Sequence, residues 1–287
     1  ENFDLDKRKA DGTWAIDYSD YAPGFRVHGD ARDLSNYHGA MDVLGQHQWI
    51  SEIGSKSFIT VNVGSGNSQM AKEWVSWANT KNNFKVYRCE IGNELNGDWE
   101  MGHRLKNGER MDGTHYAQIF KDYAASVRES DPNVQLGGPA SSDLKLDFCE
   151  ELIRNCGDTI DFISFHTYPV PVKKTTVKEK FDAIEEIRPA VHKIRSWFEQ
   201  YHPNRKDVVE IGISEWNMKV QEDQDTVGLV NGLWSTACIG TMLDTGIDFA
   251  NQWDISTQTK TGGHSTFSHL GGEAPQPKSI YWAMWIW

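Results

Sequence analysis

The sequence predicts an α/β protein built on a parallel sheet of the (β/α)8 TIM-barrel type. Three observations carry that prediction. Apolar runs of strand length alternate six times with stretches of helical spacing. The runs are continuously apolar rather than alternating, as in strands covered on both faces. Polar, chemistry-bearing groups stand at the C-terminal ends of several runs, which is where a barrel keeps its functional groups. A doubly wound sheet would bind a nucleotide through a glycine fingerprint or a P-loop, and neither G-x-G-x-x-G nor G-x-x-x-x-G-K-[ST] follows any run.

The first strand is SFITVNVGSG, residues 57–66, and Gln69 to Asn79 after it has helical spacing. KVYRCEIGNE, 85–94, is the second, followed by a polar Gly-rich insertion over 96–113 and a helix from Thr114 to Glu129. VQLGGPA, 134–140, leads to a helix from about Leu144 to Arg154, and DFISFHTYP, 161–169, to one from about Val177 to Gln200. VVEIGISEWN, 208–217, precedes a helix from Thr226 to Thr245. FANQWDIS, 249–256, is the sixth strand, and the Trp-rich end from Pro277 closes the pattern as a helix. Before residue 57 the spacing gives one helix, Tyr37 to Ile53, preceded by loop-like sequence. Since a barrel needs eight strands, the expectation is that its first two, with any targeting signal, precede Glu1; a short strand at Thr13 to Tyr18 or Phe25 to His28 is the less favoured alternative. No repeat or Pro/Ser-rich linker interrupts 57–287, so residues 1–287 read as a single domain.

Composition narrows the function. Acidic residues exceed basic ones by 12, which disfavours nucleic acid and other polyanions as partners, since their binding rests on Lys and Arg neutralising phosphates. The longest apolar stretch, SIYWAMWIW, is half the roughly 18 residues that a membrane span requires. Twelve Trp residues suit a carbohydrate partner, because flat aromatic rings match the apolar faces of sugars while their N–H groups remain donors. Trp74, Trp77, Trp197 and Trp234 fall in amphipathic helical patterns and read as core. Trp99, Trp216 and Trp253 stand beside polar strand ends and read as binding candidates. The four cysteines make no disulfide framework: Cys149 and Cys156 are seven apart on one helix, roughly 10 Å between Cα atoms, and Cys89 and Cys238 read as small core residues. No zinc spacing occurs, no strand presents H-x-H and no helix H-E-x-x-H, so neither a metal nor a cofactor is expected.

The chemistry concentrates at three strand ends, Asn93-Glu94, His166-Thr167-Tyr168 and Glu215-Trp216-Asn217. In a parallel barrel these ends open on one face, so Glu94 and Glu215 are expected to form a carboxylate pair. Such a pair performs glycoside hydrolysis, one group protonating the leaving oxygen and the other attacking the anomeric carbon or activating water. Asn62, Asp98, Trp99, His103 and Asn217 are second-rank candidates for binding the sugar or for supporting the residues that bind it, and Arg26, His28 and Asp30 in GFRVHGD form a further polar cluster. A non-catalytic sugar-binding barrel is the rival reading, since it would keep the aromatic residues.

GNE after 85–94 and SEWN after 208–217 resemble the retaining glycoside hydrolases of clan A, in which the acid/base Glu follows an Asn at the fourth strand and the nucleophile ends the seventh. Counting 57–66 as the third strand reproduces that order. Within the clan, VNVGSG, YRCEIGNELNGDWEMGH, DFISFHTYP and ISEWN most resemble glycoside hydrolase family 51, the α-L-arabinofuranosidases and endoglucanases, over residues 40 to 255. Related families holding xylosidases and iduronidases share much of the pattern. Leu95-Asn96, the insertion Lys106 to Asp112 and the tail Thr257 to Gly272 depart from it. The resemblance implies that Glu94 is the acid/base and Glu215 the nucleophile, that Asn93 binds the sugar 2-hydroxyl, that Tyr168 and His166 lie near Glu215, and that Trp253 is the floor under the reacting sugar. It implies no cofactor, a plant or algal polysaccharide or oligosaccharide as substrate, a bell-shaped rate profile on the acid side of neutrality, and a secreted, periplasmic or cell-surface location.

Overall fold

The structure is a computed structural model that describes residues 43–105, 107–169, 176–218, 227–257, 265–268 and 274–287. The stretches Thr13–Tyr18 and Phe25–His28, the cluster Arg26, His28 and Asp30, and most of the tail Thr257 to Gly272 lie outside the described residues. The chain divides into two compact units, residues 1–141 with 147–162, and residues 142–146 with 163–287.

The described part of the first unit opens with helix α1 (Val43–Glu52) and runs β1 (Ser57–Val61), α2 (Ser68–Val75), β2 (Val86–Ile91), α3 (Gly113–Ser130), β3 (Gln135–Ser141) and α4 (Asp147–Cys156). β1 pairs in parallel with β2, and β2 with β3. The apolar runs become strands because each can be covered by helices: Ile59, Val61, Cys89, Ile91 and Leu136 are buried, as are Val75, Tyr116, Phe120, Phe148 and Leu152 on the helices. α2 starts at Asn67, whose side chain accepts from Met70 N, and continues past Val75 as a π-helical segment, Ser76–Lys81, that helical spacing alone does not announce. α3 starts at Asp112, which accepts from His115 N and satisfies one of the helix's unpaired donors.

The second unit carries β4 (Phe162–Thr167), α5 (Val177–Asp182), α6 (Ile187–Tyr201), β5 (Glu210–Trp216), α7 (Leu229–Thr245), β6 (Phe249–Gln252), three two-residue strands β7 (Ser256–Thr257), β8 (Phe267–Ser268) and β9 (Gln276–Pro277), and α8 (Ser279–Ile286). The order is β4-β5-β6, with β5 and β6 parallel; β7 to β9 form a separate small sheet. A 3-10 segment, Ala183–Glu186, divides the helix expected from Val177 to Gln200. α7 ends where Gly246 takes φ +75°, a conformation that costs glycine nothing.

Aspartates pin the starts of strands in both units. Asp161, just before β4, accepts from Leu136 N at 2.9 Å and from Arg128 at 2.7 Å. Asp248, just before β6, accepts from Ile211 N at 2.8 Å. Each fixes the register of the preceding strand at its N-terminal end, leaving the C-terminal ends to carry chemistry.

The tryptophans divide largely as expected. Trp197 and Trp234 are buried, Trp74 and Trp77 half-buried, and Trp99 and Trp253 exposed. Trp216 is the correction. It is 2% exposed, its ring 6.4 Å from that of Trp234, and it belongs to the core. Successive strand residues face opposite sides, so a chain that turns Glu215 one way turns Trp216 the other.

Candidate active site

In the first unit the site grows from the end of β2. Past Ile91 the chain turns through Gly92 at φ +78°, and Glu94 itself holds φ +46°, a left-handed conformation rarely kept by a residue with a side chain. Its amide is fixed by Ala140 O at 3.0 Å, and its carbonyl accepts from Gly97 N at 2.7 Å. The tight turn brings Trp99 back over Gly97, and the indole Nε1 donates to Glu94 Oε2 at 2.6 Å. Asn93 donates to Glu100 Oε1 at 3.3 Å. Asn62 is engaged locally: its Oδ1 accepts from Ser65 N at 3.0 Å, its Nδ2 donates to Ser65 Oγ, and its carbonyl accepts from the Tyr123 hydroxyl. His103 is buried with Nδ1 2.7 Å from Glu100 O, and Asp98 is exposed. Leu95 and Asn96, which depart from the resembled pattern, are both buried, and Arg110 donates to Asn96 O.

In the second unit Tyr168 and His166 meet Glu215. The Tyr168 hydroxyl donates to Glu215 Oε2 at 2.8 Å, and the fully buried His166 brings Nδ1 within 3.5 Å of the same oxygen. A carboxylate only 19% exposed, with an O–H aimed at one oxygen, is held in a fixed orientation. Asn217 supports its neighbours. Its Nδ2 donates to Trp253 O at 2.7 Å and its Oδ1 accepts from Met218 N, so the amide ties the end of β5 to the residue after β6. Trp253 N donates to Trp216 O, and the exposed ring stands at the end of a backbone held on both sides.

Two features carry no sequence signal of their own. Glu90, 2% exposed on β2, accepts from Thr60 at 3.1 Å. Asp254, beside Trp253, is pushed above the usual carboxylate range by burial, against the pull of Lys278. Burial moves Lys278 in the mirror sense, downward, while its Nζ donates to Ser265. The cysteines are buried thiols; burial pushes Cys149 up to about 12 and Cys156 to about 11, which keeps them protonated and removes them as nucleophiles.

Residues 70–224 match the family described as Glycosyl hydrolases family 39. The chain belongs to this family. As a clan A glycoside hydrolase it is most like the family 51 arabinofuranosidases among its relatives. It is 21% identical over 214 residues to an intracellular exo-α-(1→5)-L-arabinofuranosidase of Acetivibrio thermocellus, a match that covers 66% of this chain and 41% of that protein. It is 24% identical over 163 residues to an exo-α-(1→6)-L-arabinofuranosidase of Bifidobacterium longum, covering 48% of this chain and 30% of the relative. Among solved structures, the α-L-arabinofuranosidase of Thermotoga maritima superposes with a TM-score of 0.68 at 20% identity, over 83% of this chain and 50% of that one. A β-xylosidase of Caulobacter crescentus CB15 gives 0.62 at 17% identity, over 83% and 54%. This family member therefore shares their barrel fold, and it spans about half or less of the length of each. No described helix is long and apolar enough to cross a membrane.

Proposed function

We propose that this protein is a retaining glycoside hydrolase that removes α-L-arabinofuranosyl groups by double displacement, with Glu215 as nucleophile and Glu94 as acid/base. The observation that carries the reading is the Tyr168 hydroxyl 2.8 Å from Glu215 Oε2, with His166 Nδ1 3.5 Å from the same oxygen. Glu215 attacks the anomeric carbon while Glu94 gives its proton to the departing oxygen, releasing an alcohol and leaving a glycosyl ester. Glu94, now a carboxylate, takes a proton from water, whose oxygen attacks the anomeric carbon and breaks its bond to Glu215. Trp253 offers an exposed aromatic face to a sugar, and Asn93 an amide to its 2-hydroxyl.

The sugar rests on the names of the relatives, and β-xylosides are the second reading because a β-xylosidase shares the fold. Endo-β-glucanase and uronidase action are further outcomes of the same test, and a non-catalytic binder is the outcome from another class. Aryl α-L-arabinofuranosides, β-xylosides, β-glucosides and uronides are offered to the protein and to Glu215→Gln and Glu94→Gln. The expected result is arabinofuranoside turnover that falls by about 10²–10⁴-fold in Glu94→Gln and at least as far in Glu215→Gln. Equal turnover by all three proteins would remove both assignments. A secreted or cell-surface location belongs to the same reading, and cell fractionation checks it.

A further inference from the structure

The indole of Trp99 makes a contact that sugar binding does not account for. Its N–H donates to Oε2 of Glu94 at 2.6 Å, from a position five residues on in the same turn. The geometry is built in. Gly97 N closes on Glu94 O at 2.7 Å, and a Cβ at Gly97 would lie 2.4 Å from the Trp99 ring, so the ring rests on a residue that must lack a side chain. Farther along, Gly102 packs against Gly64, where an added Cβ would meet the Gly64 Cα at 2.8 Å. Leu95, inside the turn, is 3% exposed. The ring is therefore set by backbone and core, while 36% of its surface stays open to solvent.

We propose that Trp99 is a positioning residue that decides which oxygen of Glu94 handles the proton. This rests on the acid/base reading of Glu94. An N–H pointing at Oε2 makes that oxygen an acceptor in both protonation states, because a proton on Oε2 would face the indole hydrogen. The transferable proton therefore resides on Oε1. In the first step the Oε1–H bond breaks and the proton passes to the leaving oxygen. In the second, Oε1 takes a proton from the attacking water, restoring the acid, and Oε2 keeps the indole throughout. The contact strengthens when Glu94 is a carboxylate, since hydrogen bonds to charged acceptors are about twice as strong as neutral ones. Trp99 accordingly favours the form that acts as base in the second step.

The test compares the wild-type chain with Trp99→Phe, Glu94→Gln and the double variant. Phe keeps a ring over Gly97 and removes the N–H. The alkaline limb of kcat/KM in Trp99→Phe is expected to move up by roughly 0.5–1 pH unit, the shift following from loss of one partly exposed charged hydrogen bond. In the Glu94→Gln background the same substitution should change kcat by less than about twofold, because partners that act through one another are not additive. A readout independent of turnover is the indole ¹⁵N–¹H resonance absent from Trp99→Phe. It should titrate in the wild-type chain with the midpoint of the alkaline limb and lose that titration in Glu94→Gln. An unmoved limb with a raised KM alone, or an indole resonance that does not titrate, would overturn the proposal and leave Trp99 as a platform for the leaving group. If Glu94→Gln keeps full activity and its alkaline limb, it is the acid/base assignment that fails, and the resonance still reports whether indole and carboxyl are bonded.

Discussion

Replacing Tyr168 by Phe removes one oxygen and nothing else from the neighbourhood of Glu215. The hydroxyl donates at 2.8 Å to a carboxylate that is 19% exposed, with His166 Nδ1 3.5 Å from the same oxygen. A hydrogen bond to a charged group contributes about 1.5–3 kcal/mol, and each 1.36 kcal/mol is a factor of about ten. The ceiling is therefore about 100-fold. His166 remains, and the exposed fraction lets water replace part of the bond, so the expected loss in kcat/KM is about tenfold. The direction of the pH effect is fixed by which form the hydroxyl serves. It donates to the ionised carboxylate, so its removal favours the protonated form, and the acid limb of the rate profile moves to higher pH. The assay is kcat/KM for an aryl arabinofuranoside from about pH 4 to 9, where a bell shape is expected for an acid and a base acting together. An unmoved acid limb with a rate within about twofold of wild type would refute the reasoning, because the hydroxyl would then be doing nothing for the nucleophile.

Trp216 and Trp253 should separate by assay. Trp216→Ala empties buried volume beside Trp234 and is expected to cost about 3–5 kcal/mol in denaturant unfolding, whereas Trp253→Ala should leave stability within about 0.5 kcal/mol and raise KM. Asp161→Ala leaves Leu136 N and Arg128 without their shared acceptor and should lower stability by about 1–3 kcal/mol, read as a lower denaturation midpoint with unchanged slope. The Asp112 carboxyl is held below the usual range by the His115 amide. A depressed carboxyl adds stability above its unfolded value near 3.9 and loses it as pH falls through the folded value. The melting temperature of the wild type should thus fall toward that of Asp112→Asn as the solution is acidified below about pH 4, and curves that stay parallel would contradict the capping role.

The strands β1 to β5 are legible in the sequence because each is a largely apolar run whose side chains are mostly buried, whereas β6, with Ala250 and Asn251 exposed, is the weakest of the six. Glu94, Glu215 and Tyr168 are legible because polar groups that end such runs stand out from them. Trp216 is misread for the same reason: the polar letters around it, SEWN, describe one face of the strand, and Trp216 belongs to the other. The π-helical segment Ser76–Lys81 and the two-residue strands β7 to β9 are too short to leave a period. Asn217 is open in sequence between touching the sugar and supporting its neighbours, and in the structure its amide holds the backbone of Trp253 and Met218. The bond from Trp99 to Glu94 depends on a left-handed φ at Glu94 and on Gly97 lying under the ring, neither of which a spacing rule encodes.

The central claim is that Glu215 forms a covalent bond to the sugar, and trapping that intermediate tests it most directly. The protein is incubated with a 2-deoxy-2-fluoro arabinofuranoside bearing an activated leaving group, digested, and mapped by mass spectrometry. The account predicts one glycosyl adduct, on the peptide that contains Glu215, and none when Glu215→Gln is treated in the same way. An adduct on any other residue, or a product of inverted anomeric configuration released by the wild-type protein from an unmodified substrate, would contradict it.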